Sequence, residues 1–460
     1  MAEPRESFLD RTIRRVRSAW HDVAGRGSAT LAETIGPVLS GGDLDRLRVA
    51  VANCLDAHGG QVSALAHAAD LGEAYLGLDQ DGRRQFVELL AHEFGAPRGP
   101  VDEEARAVIA AHDDPSRVAA EQKLREALVP ARLALFRHLG ALPDGVKFLV
   151  DMRAELRGLE ADPVARKTLD IELKELLVSW FGVGFLELRR ITWDSSAELL
   201  ERLIAYEAVH HIQSWSDLKN RLDSDRRCFA FFHPRMPGEP LIFVEVALVN
   251  GLADNVHDLL DEAAPPIDPA TADTAIFYSI SNAQRGLAGI SLGNFLIKRV
   301  VDLLRQEFPN LNTFSTLSPM PGFRRWLDAQ FDTAGDAVAD IVPDDSVATF
   351  RDRLDHNWFE DTEQLEALRT PLLKLGARYI VNGGPKGRVV DPVGHFHLTN
   401  GARFERLNYL ADRSEKGLQQ SVGMMINYLY KLDEIDANHE AYSDDGTVAT
   451  GSQVRSLIKN

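Results

Sequence analysis

The chain has 460 residues, 45% of them hydrophobic and 26% charged, which is the composition of an ordinary globular protein large enough for two domains. Its 51 Lys and Arg residues are outnumbered by 69 Asp and Glu residues, and the formal net charge of −18 opposes non-specific binding to nucleic acid or to an anionic membrane. No apolar run approaches the roughly 20 residues of a membrane-spanning helix.

The N-terminus and the cysteines favour a cytoplasmic protein. The first 20 residues, MAEPRESFLDRTIRRVRSAW, lack the apolar core of a secretory signal, and the acidic residues Glu3, Glu6 and Asp10 argue against a transit peptide. Cys54 and Cys228 stand far apart, so neither a disulfide framework nor a thiolate metal site is indicated.

The first part of the chain predicts helices. From about Gly42 to Trp180 it is rich in Ala, Leu, Glu and Arg, and its apolar residues recur at helical spacing, as in DLDRLRVAVANCLDA and KTLDIELKELLVSWF. We predict an all-helical domain over residues 1–182 that serves packing or oligomerisation, and therefore a homo-oligomer.

The character of the sequence changes after Phe181. Arg227–Phe232 and Leu241–Val249 are rich in strand-forming residues, and the segment HPRMPGEP between them is rich in turn-forming residues. This pattern predicts an antiparallel hairpin.

A strand, helix, strand unit follows. Ala275–Ile280 predicts a strand, the apolar spacing from Leu292 predicts a helix that Pro309 ends, and Thr313–Leu317 predicts a second strand. Such a unit is normally parallel and right-handed, so both strands end at one edge of the sheet. We expect a ligand site at that edge.

Two turns would form this site. The first contains Gly286, Gly289 and Gly293, and its backbone N–H groups at the start of a helix favour a phosphate group. The second presents Ser318, which is held between a strand end and Pro319.

The rest of the chain predicts further sheet. Residues 335–380 are typical of helix and polar loop, and the strings VGHFHL, ARFERLNYLA and MMINYLY after Val389 predict strands. The fold class is therefore α+β, with the helical domain followed by a mixed-sheet catalytic domain over residues 183–460.

Several strings resemble the malonyl-CoA decarboxylase family. The most specific pair is LSPMPGF, followed some 80 residues later by FHLTNGA. The resemblance continues through other strings: FYSIS (Phe277–Ser281), NFLIKRVV after the glycine turn, NYLYKL (Asn427–Leu432) and FLELRRITW (Phe185–Trp193).

The resemblance implies a function as well as a fold. It implies a C-terminal domain of the acyl-CoA N-acyltransferase (GNAT) fold and conversion of malonyl-CoA to acetyl-CoA and CO2 in fatty acid metabolism. It places the catalytic serine at Ser318 and the catalytic histidine at His397. The implied CoA-binding loop consists of Ala288, Gly289, Ile290, Ser291, Leu292, Gly293 and Asn294.

The sequence departs from the family pattern within this loop. Its glycines do not follow the usual Q/R-x-x-G-x-G/A spacing of GNAT acyltransferases, and Ser291 stands where animal relatives carry a carboxylate. The C-terminal SLIKN lacks the peroxisomal Ser-Lys-Leu address of animal forms, which adds to the expectation of a cytoplasmic enzyme.

The chemistry requires few protein groups. Loss of CO2 from a malonyl thioester leaves electrons that the thioester carbonyl absorbs as an enolate, so no cofactor or metal is demanded and we expect none. Ser318 suits hydrogen bonding or proton relay. His397, expected near its ordinary pKa of about 6.5, suits general acid catalysis.

Other interpretations remain open. A serine before proline is commonly a turn residue, and a histidine such as His397 commonly has a structural place in a sheet. His395 would share its strand face, but a metal site would need a third ligand. A CoA-dependent N-acyltransferase and a non-catalytic CoA-binding module are the alternative functions.

Overall fold

A computed structural model describes residues 16–23, 31–56, 60–290, 296–332, 338, 340–342, 347–355, 358–382 and 389–459. The chain forms two compact units. The helical unit contains Met1–Leu186, His233–Glu239 and Gln284–Ile290, and the sheet unit contains the remaining residues. Within the described ranges, every helix is too short or too polar to cross a membrane.

The helical unit confirms the prediction of a helical N-terminal region. Aspartates start several of its helices, since Asp79, Asp113 and Asp162 each accept a backbone N–H of the following first turn. Its core contains Trp20, whose ring meets Phe148 edge-on at 4.8 Å. Its α-helices are residues 16–23, Leu31–Thr34, Gly41–Asp56, Gly60–Gly77, Gln80–Glu93, Arg98–Ala110, Asp114–Ala127, Arg132–Ala141, Gly145–Leu156 and Pro163–Trp180.

The sheet unit is built on one mixed sheet in the order β1-β2-β3-β4-β5-β8-β6, with β7 beside β8. Its strands are β1 (Glu187–Ile191), β2 (Arg226–Phe232), β3 (Ile242–Val249), β4 (Thr274–Asn282), β5 (Thr313–Thr316), β6 (Ser318–Pro319), β7 (Arg403–Asn408) and β8 (Met425–Leu429). Its α-helices are Ala197–Tyr206, Trp215–Arg221, Val256–Leu260, Leu296–Glu307, Phe323–Asp332, Val347–Asp355, Thr362–Asn382, Pro392–Thr399, Glu415–Ser421, Ile435–Asp445 and Ser452–Lys459.

The strand pairing follows the sequence patterns. β2 and β3 form the predicted antiparallel hairpin, and β4 and β5 form the predicted parallel pair around the helix Leu296–Glu307. The α+β class, with a helical region followed by a mixed sheet, is therefore confirmed. The predicted strand Thr313–Leu317 is β5, which ends at Thr316. A separate short strand, β6, follows it and pairs with β8, where Ser318 lies opposite Ile426.

One predicted strand is wrong. The string VGHFHL lies in the helix Pro392–Thr399, which begins with Asp391 accepting the backbone N–H groups of Val393 and Gly394, each at 3.0 Å. Proline at the first helical position and an aspartate before it favour a helix start. A short apolar run has no period long enough to distinguish helix from strand, so the capping residues decided the outcome.

One face of the sheet buries a charged cluster. Glu245 on β3 is 1% exposed, and its carboxylate accepts from Arg221 at 3.1 Å. Arg221 also donates from Nε to the carboxylate of Asp217 at 2.7 Å. The carboxylate of Glu207 lies nearby and accepts the Ser279 hydroxyl. Burial, reinforced by the charge of Glu207, outweighs the attraction of Arg221 and raises the pKa of Glu245 to about 8.

Candidate active site

The structure brings Ser318 and His397 together within the sheet unit. Ser318 begins β6, directly after the segment that pairs with β4. His397 projects from the helix Pro392–Thr399. Oγ of Ser318 and Nε2 of His397 lie 3.0 Å apart, which is hydrogen-bond distance. The residues are 6% and 2% exposed, so the pair is largely shielded from water.

Thr316 is a second partner of Ser318. The two hydroxyl oxygens lie 2.9 Å apart, and the Thr316 oxygen also accepts the backbone N–H of Tyr428 at 3.2 Å. Two positions of separation along an extended chain place both side chains on the same side. The Ser318 side chain is therefore held by two hydrogen-bond partners, Thr316 and His397.

Two tyrosines hold the His397 ring. Nδ1 lies 2.8 Å from the Tyr430 hydroxyl, and the ring stacks on Tyr428 with centroids 4.7 Å apart. Burial raises the pKa of Tyr430 well above its usual value, so this hydroxyl keeps its proton. When that hydroxyl donates to Nδ1, the single proton of a neutral imidazole lies on Nε2 and points at Ser318.

The electrostatics of His397 differ from the expectation. Burial disfavours the charged imidazolium and lowers the pKa of His397 to about 3, instead of leaving it near 6.5. The sequence could not indicate this shift, because it arises from the packing of distant segments around the ring. In the free protein His397 is neutral at neutral pH.

Asp391 links the helix of His397 to the turn after Ser318. Its side chain is fully buried and accepts the Tyr379 hydroxyl at 3.0 Å and the Gly322 N–H at 3.3 Å, besides starting the helix. Burial raises the pKa of Asp391, although its hydrogen bonds oppose that rise. One carboxyl group thus sets the positions of both segments.

The predicted CoA loop is described in part. Ala288, Gly289 and Ile290 follow a short 3-10 helix, Arg285–Leu287, and belong to the helical unit. Ala288 and Gly289 are exposed, and Gly289 adopts φ +78°, a conformation that suits glycine. The other predicted residues, Ser291, Leu292, Gly293 and Asn294, lie outside the described residues.

Two protein-family models match the chain. Residues 184–460 match the model of the malonyl-CoA decarboxylase C-terminal domain, and residues 94–181 match that of the N-terminal domain. The chain belongs to the malonyl-CoA decarboxylase family. It is an enzyme of the carboxy-lyase class, as the resemblance implied.

Curated relatives of this family are similar over most of their length. The mitochondrial malonyl-CoA decarboxylase of Anser anser anser is 37% identical over 85% of this chain and 83% of its own. The mitochondrial enzyme of Rattus norvegicus is 37% identical over 86% of each chain.

Solved malonyl-CoA decarboxylase structures share the fold. The crystal structure from Rhodopseudomonas palustris has 43% identity and a TM-score of 0.84, and covers 90% of this chain and 99% of that one. The structure from Agrobacterium vitis has 40% identity, a TM-score of 0.80 and the same coverage.

Sequence analysis missed four residues around the Ser318–His397 pair. Two of them carried a signal: Thr316 stands two positions before Ser318 in an extended segment, and Asp391 precedes a proline as helix-capping residues do. Tyr379 and Tyr430 carried none, because their hydroxyl groups reach the site only after separate elements have packed together.

Proposed function

We propose that this protein converts malonyl-CoA to acetyl-CoA and CO2. The observation that carries the proposal is the buried Ser318–His397 pair, with Oγ and Nε2 3.0 Å apart. Membership of the malonyl-CoA decarboxylase family supports the choice of substrate. In this proposal Ala288–Asn294 bind the CoA part.

The reaction needs no electron sink from the protein. The C–C bond to the carboxylate breaks, its electron pair enters the thioester as an enolate, and CO2 departs. The enolate then takes a proton at C2, so each turnover consumes one proton. Ser318 donates its hydroxyl to the developing oxyanion, and a donor placed in this way is typically worth about 3 to 4 kcal/mol.

His397 delivers the proton to C2 through Ser318. The imidazole is neutral in the free protein, and the carboxylate of a bound malonyl group favours its protonated form because the two charges are opposite. The proton is then available when CO2 leaves. General acid catalysis of this kind contributes roughly 10²- to 10⁴-fold. Ser318 forms no covalent acyl-enzyme.

One assay tests the proposed function. Purified protein is mixed with malonyl-CoA alone, and CO2 and acetyl-CoA are measured. We expect equal amounts of both without any acceptor. Consumption that requires an added amine would indicate an N-acyltransferase, and CoA binding without consumption would indicate a non-catalytic module. Intact-mass measurement during turnover should find no acylated protein.

We also propose a cytoplasmic homo-oligomer that assembles through the helical unit. The helices Arg98–Ala110 and Asp114–Ala127 expose apolar side chains, with Ile109 82% and Val118 66% exposed. Cys54 and Cys228 are free and buried, which suits a reducing compartment. Light scattering of the protein and of an Ile109→Asp, Val118→Asp variant tests the assembly, and a fluorescent fusion tests the location.

A further inference from the structure

Arg153 anchors the turn that opens the proposed CoA loop. It is 2% exposed on the helix Gly145–Leu156, and its Nη1 donates to the backbone carbonyls of Gly286 and Ala288. A Cβ atom on Gly286 would lie 1.8 Å from the carbonyl oxygen of Val150, so only glycine allows this approach. The turn is therefore fixed against the helices of its own unit.

The anchored carbonyls orient a backbone donor. A trans peptide unit is planar, so the N–H of Gly289 points opposite to the Ala288 carbonyl, which faces Arg153. Among the described residues the Gly289 N–H has no acceptor. Ala288 and Gly289 are both exposed, so this donor faces a position that a ligand can reach.

A lysine of the helical unit stands beside this donor. Lys174 lies on the helix Pro163–Trp180, and a Cβ atom on Gly289 would be 3.4 Å from its Nζ. Asp170, one helical turn earlier, is engaged by Arg153 at 3.0 Å. Within the described ranges Lys174 itself has no ion-pair or hydrogen-bond partner, and Arg285, at the other end of the turn, is exposed.

The cationic side chains of Lys174 and Arg285 can attract an anion, although the net charge of the whole protein repels one. With a net charge of −18, the protein as a whole disfavours a nucleotide, so local donors must hold it. We propose that Lys174, with the Gly289 N–H and Arg285, binds a phosphate group of the CoA nucleotide. The identity of the ligand rests on the proposed function, and the helical unit thereby contributes a binding residue that the resemblance did not indicate.

Calorimetric titration of Lys174→Gln tests this site. We expect CoA to bind about five- to tenfold more weakly than to the unchanged protein, because a partly exposed charged contact is lost. Lys174→Arg should restore most of the affinity. Lys123→Gln is the matched control: Lys123 is exposed on the helix Asp114–Ala127, and its loss should leave CoA affinity within about twofold.

Shortened ligands show whether the effect concerns phosphate. If Lys174 holds the 3′-phosphate, dephospho-CoA should bind the unchanged protein and the Gln variant alike. If it holds the pyrophosphate, dephospho-CoA should still discriminate between them and pantetheine should not. An equal loss with pantetheine, or a Lys174→Gln variant that binds CoA as the unchanged protein does, overturns the inference.

The readout separates this inference from the proposed function. CoA affinity requires no turnover, so a protein that binds CoA but does not consume malonyl-CoA still reports on Lys174. A protein that decarboxylates malonyl-CoA with unchanged CoA affinity in Lys174→Gln refutes the lysine site alone. If the unchanged protein binds no CoA, both proposals fail. Circular dichroism and thermal unfolding check that each variant is folded.

Discussion

Oγ of Ser318 and Nε2 of His397 lie 3.0 Å apart, although 79 positions separate the two residues in the chain. One residue begins a short strand and the other lies on a helix, and Asp391 holds both segments. Thr316 holds the Ser318 hydroxyl and Tyr430 holds the His397 ring, so the geometry of the pair is fixed by the protein itself. Its two members can therefore be tested one at a time.

Ser318→Ala should lower turnover of malonyl-CoA by roughly 10- to 1000-fold and leave CoA affinity largely unchanged, because a donor to the developing charge is lost. Steady-state kinetics and calorimetry measure the two quantities. The control is Ser315→Ala on β5, a fully buried serine that donates to backbone carbonyls. Equal losses in the two variants would contradict a special role for Ser318.

Tyr430→Phe should reduce turnover by about fivefold to tenfold, because it removes the 2.8 Å contact that orients the His397 ring. Tyr428→Phe is a matched comparison. The Tyr428 hydroxyl is buried and has no hydrogen-bond partner among the described atoms, while its ring still stacks on His397.

We therefore expect Tyr428→Phe to have the smaller effect on turnover and to keep or slightly raise the free energy of unfolding, since an unpaired buried hydroxyl is removed. Kinetics and urea unfolding of both variants decide the comparison. A larger kinetic loss in Tyr428→Phe than in Tyr430→Phe would show that ring orientation does not depend on the hydrogen bond.

The low pKa of His397 predicts the pH dependence of kcat/KM. This parameter reports ionisations of the free enzyme, and burial lowers the pKa of His397 to about 3. The profile of the unchanged protein should therefore have no inflection near pH 6.5 that belongs to His397. An inflection belongs to His397 if it is absent from the residual activity of His397→Asn. Such an inflection would mean that the ring is accessible to water before substrate binds.

The same shift affects stability in acid. Above pH 6.5 the imidazole is neutral in both the folded and the unfolded chain, so it adds no pH dependence. As the pH falls from about 6.5 towards 3, the unfolded chain takes up a proton that the folded chain refuses, and stability is lost. Urea midpoints at pH 7 and pH 5 should therefore differ less in His397→Asn than in the unchanged protein.

Glu245→Gln should alter stability in the opposite pH range. The pKa of Glu245 is raised to about 8, so the folded chain holds a proton that the unfolded chain releases above about pH 4.5. Stability is thus lost as the pH rises from about 4.5 to 8, and glutamine removes this loss.

The advantage of the Glu245→Gln variant in free energy of unfolding should be about 4 kcal/mol larger at pH 8.5 than at pH 5, because the folded and unfolded chains differ by one proton over about three pH units. Urea titrations at both pH values measure it. Glu103→Gln, at an exposed position of the helix Arg98–Ala110, should show no such change. A constant difference between the Glu245→Gln variant and the unchanged protein would mean that Arg221 keeps Glu245 ionised.

Patterns of sufficient length were predictable from sequence. The hairpin of β2 and β3 and the crossover of β4 and β5 had runs of strand residues bounded by turn residues, and both were confirmed. The string around His397 was too short for periodicity to decide, and its helix depended on Asp391 and Pro392. The pKa of His397 and the tyrosine contacts follow from tertiary packing, which no local pattern encodes.

The helical setting of His397 also governs its neighbour two positions earlier. Successive residues of a helix turn by about 100°, so the imidazoles of His395 and His397 diverge, whereas a strand would have aligned them. Each ring meets a different tyrosine, Tyr442 for His395 and Tyr430 for His397. A histidine pair that would form a chelate for stray zinc or copper on an extended chain is thus kept from closing on one ion.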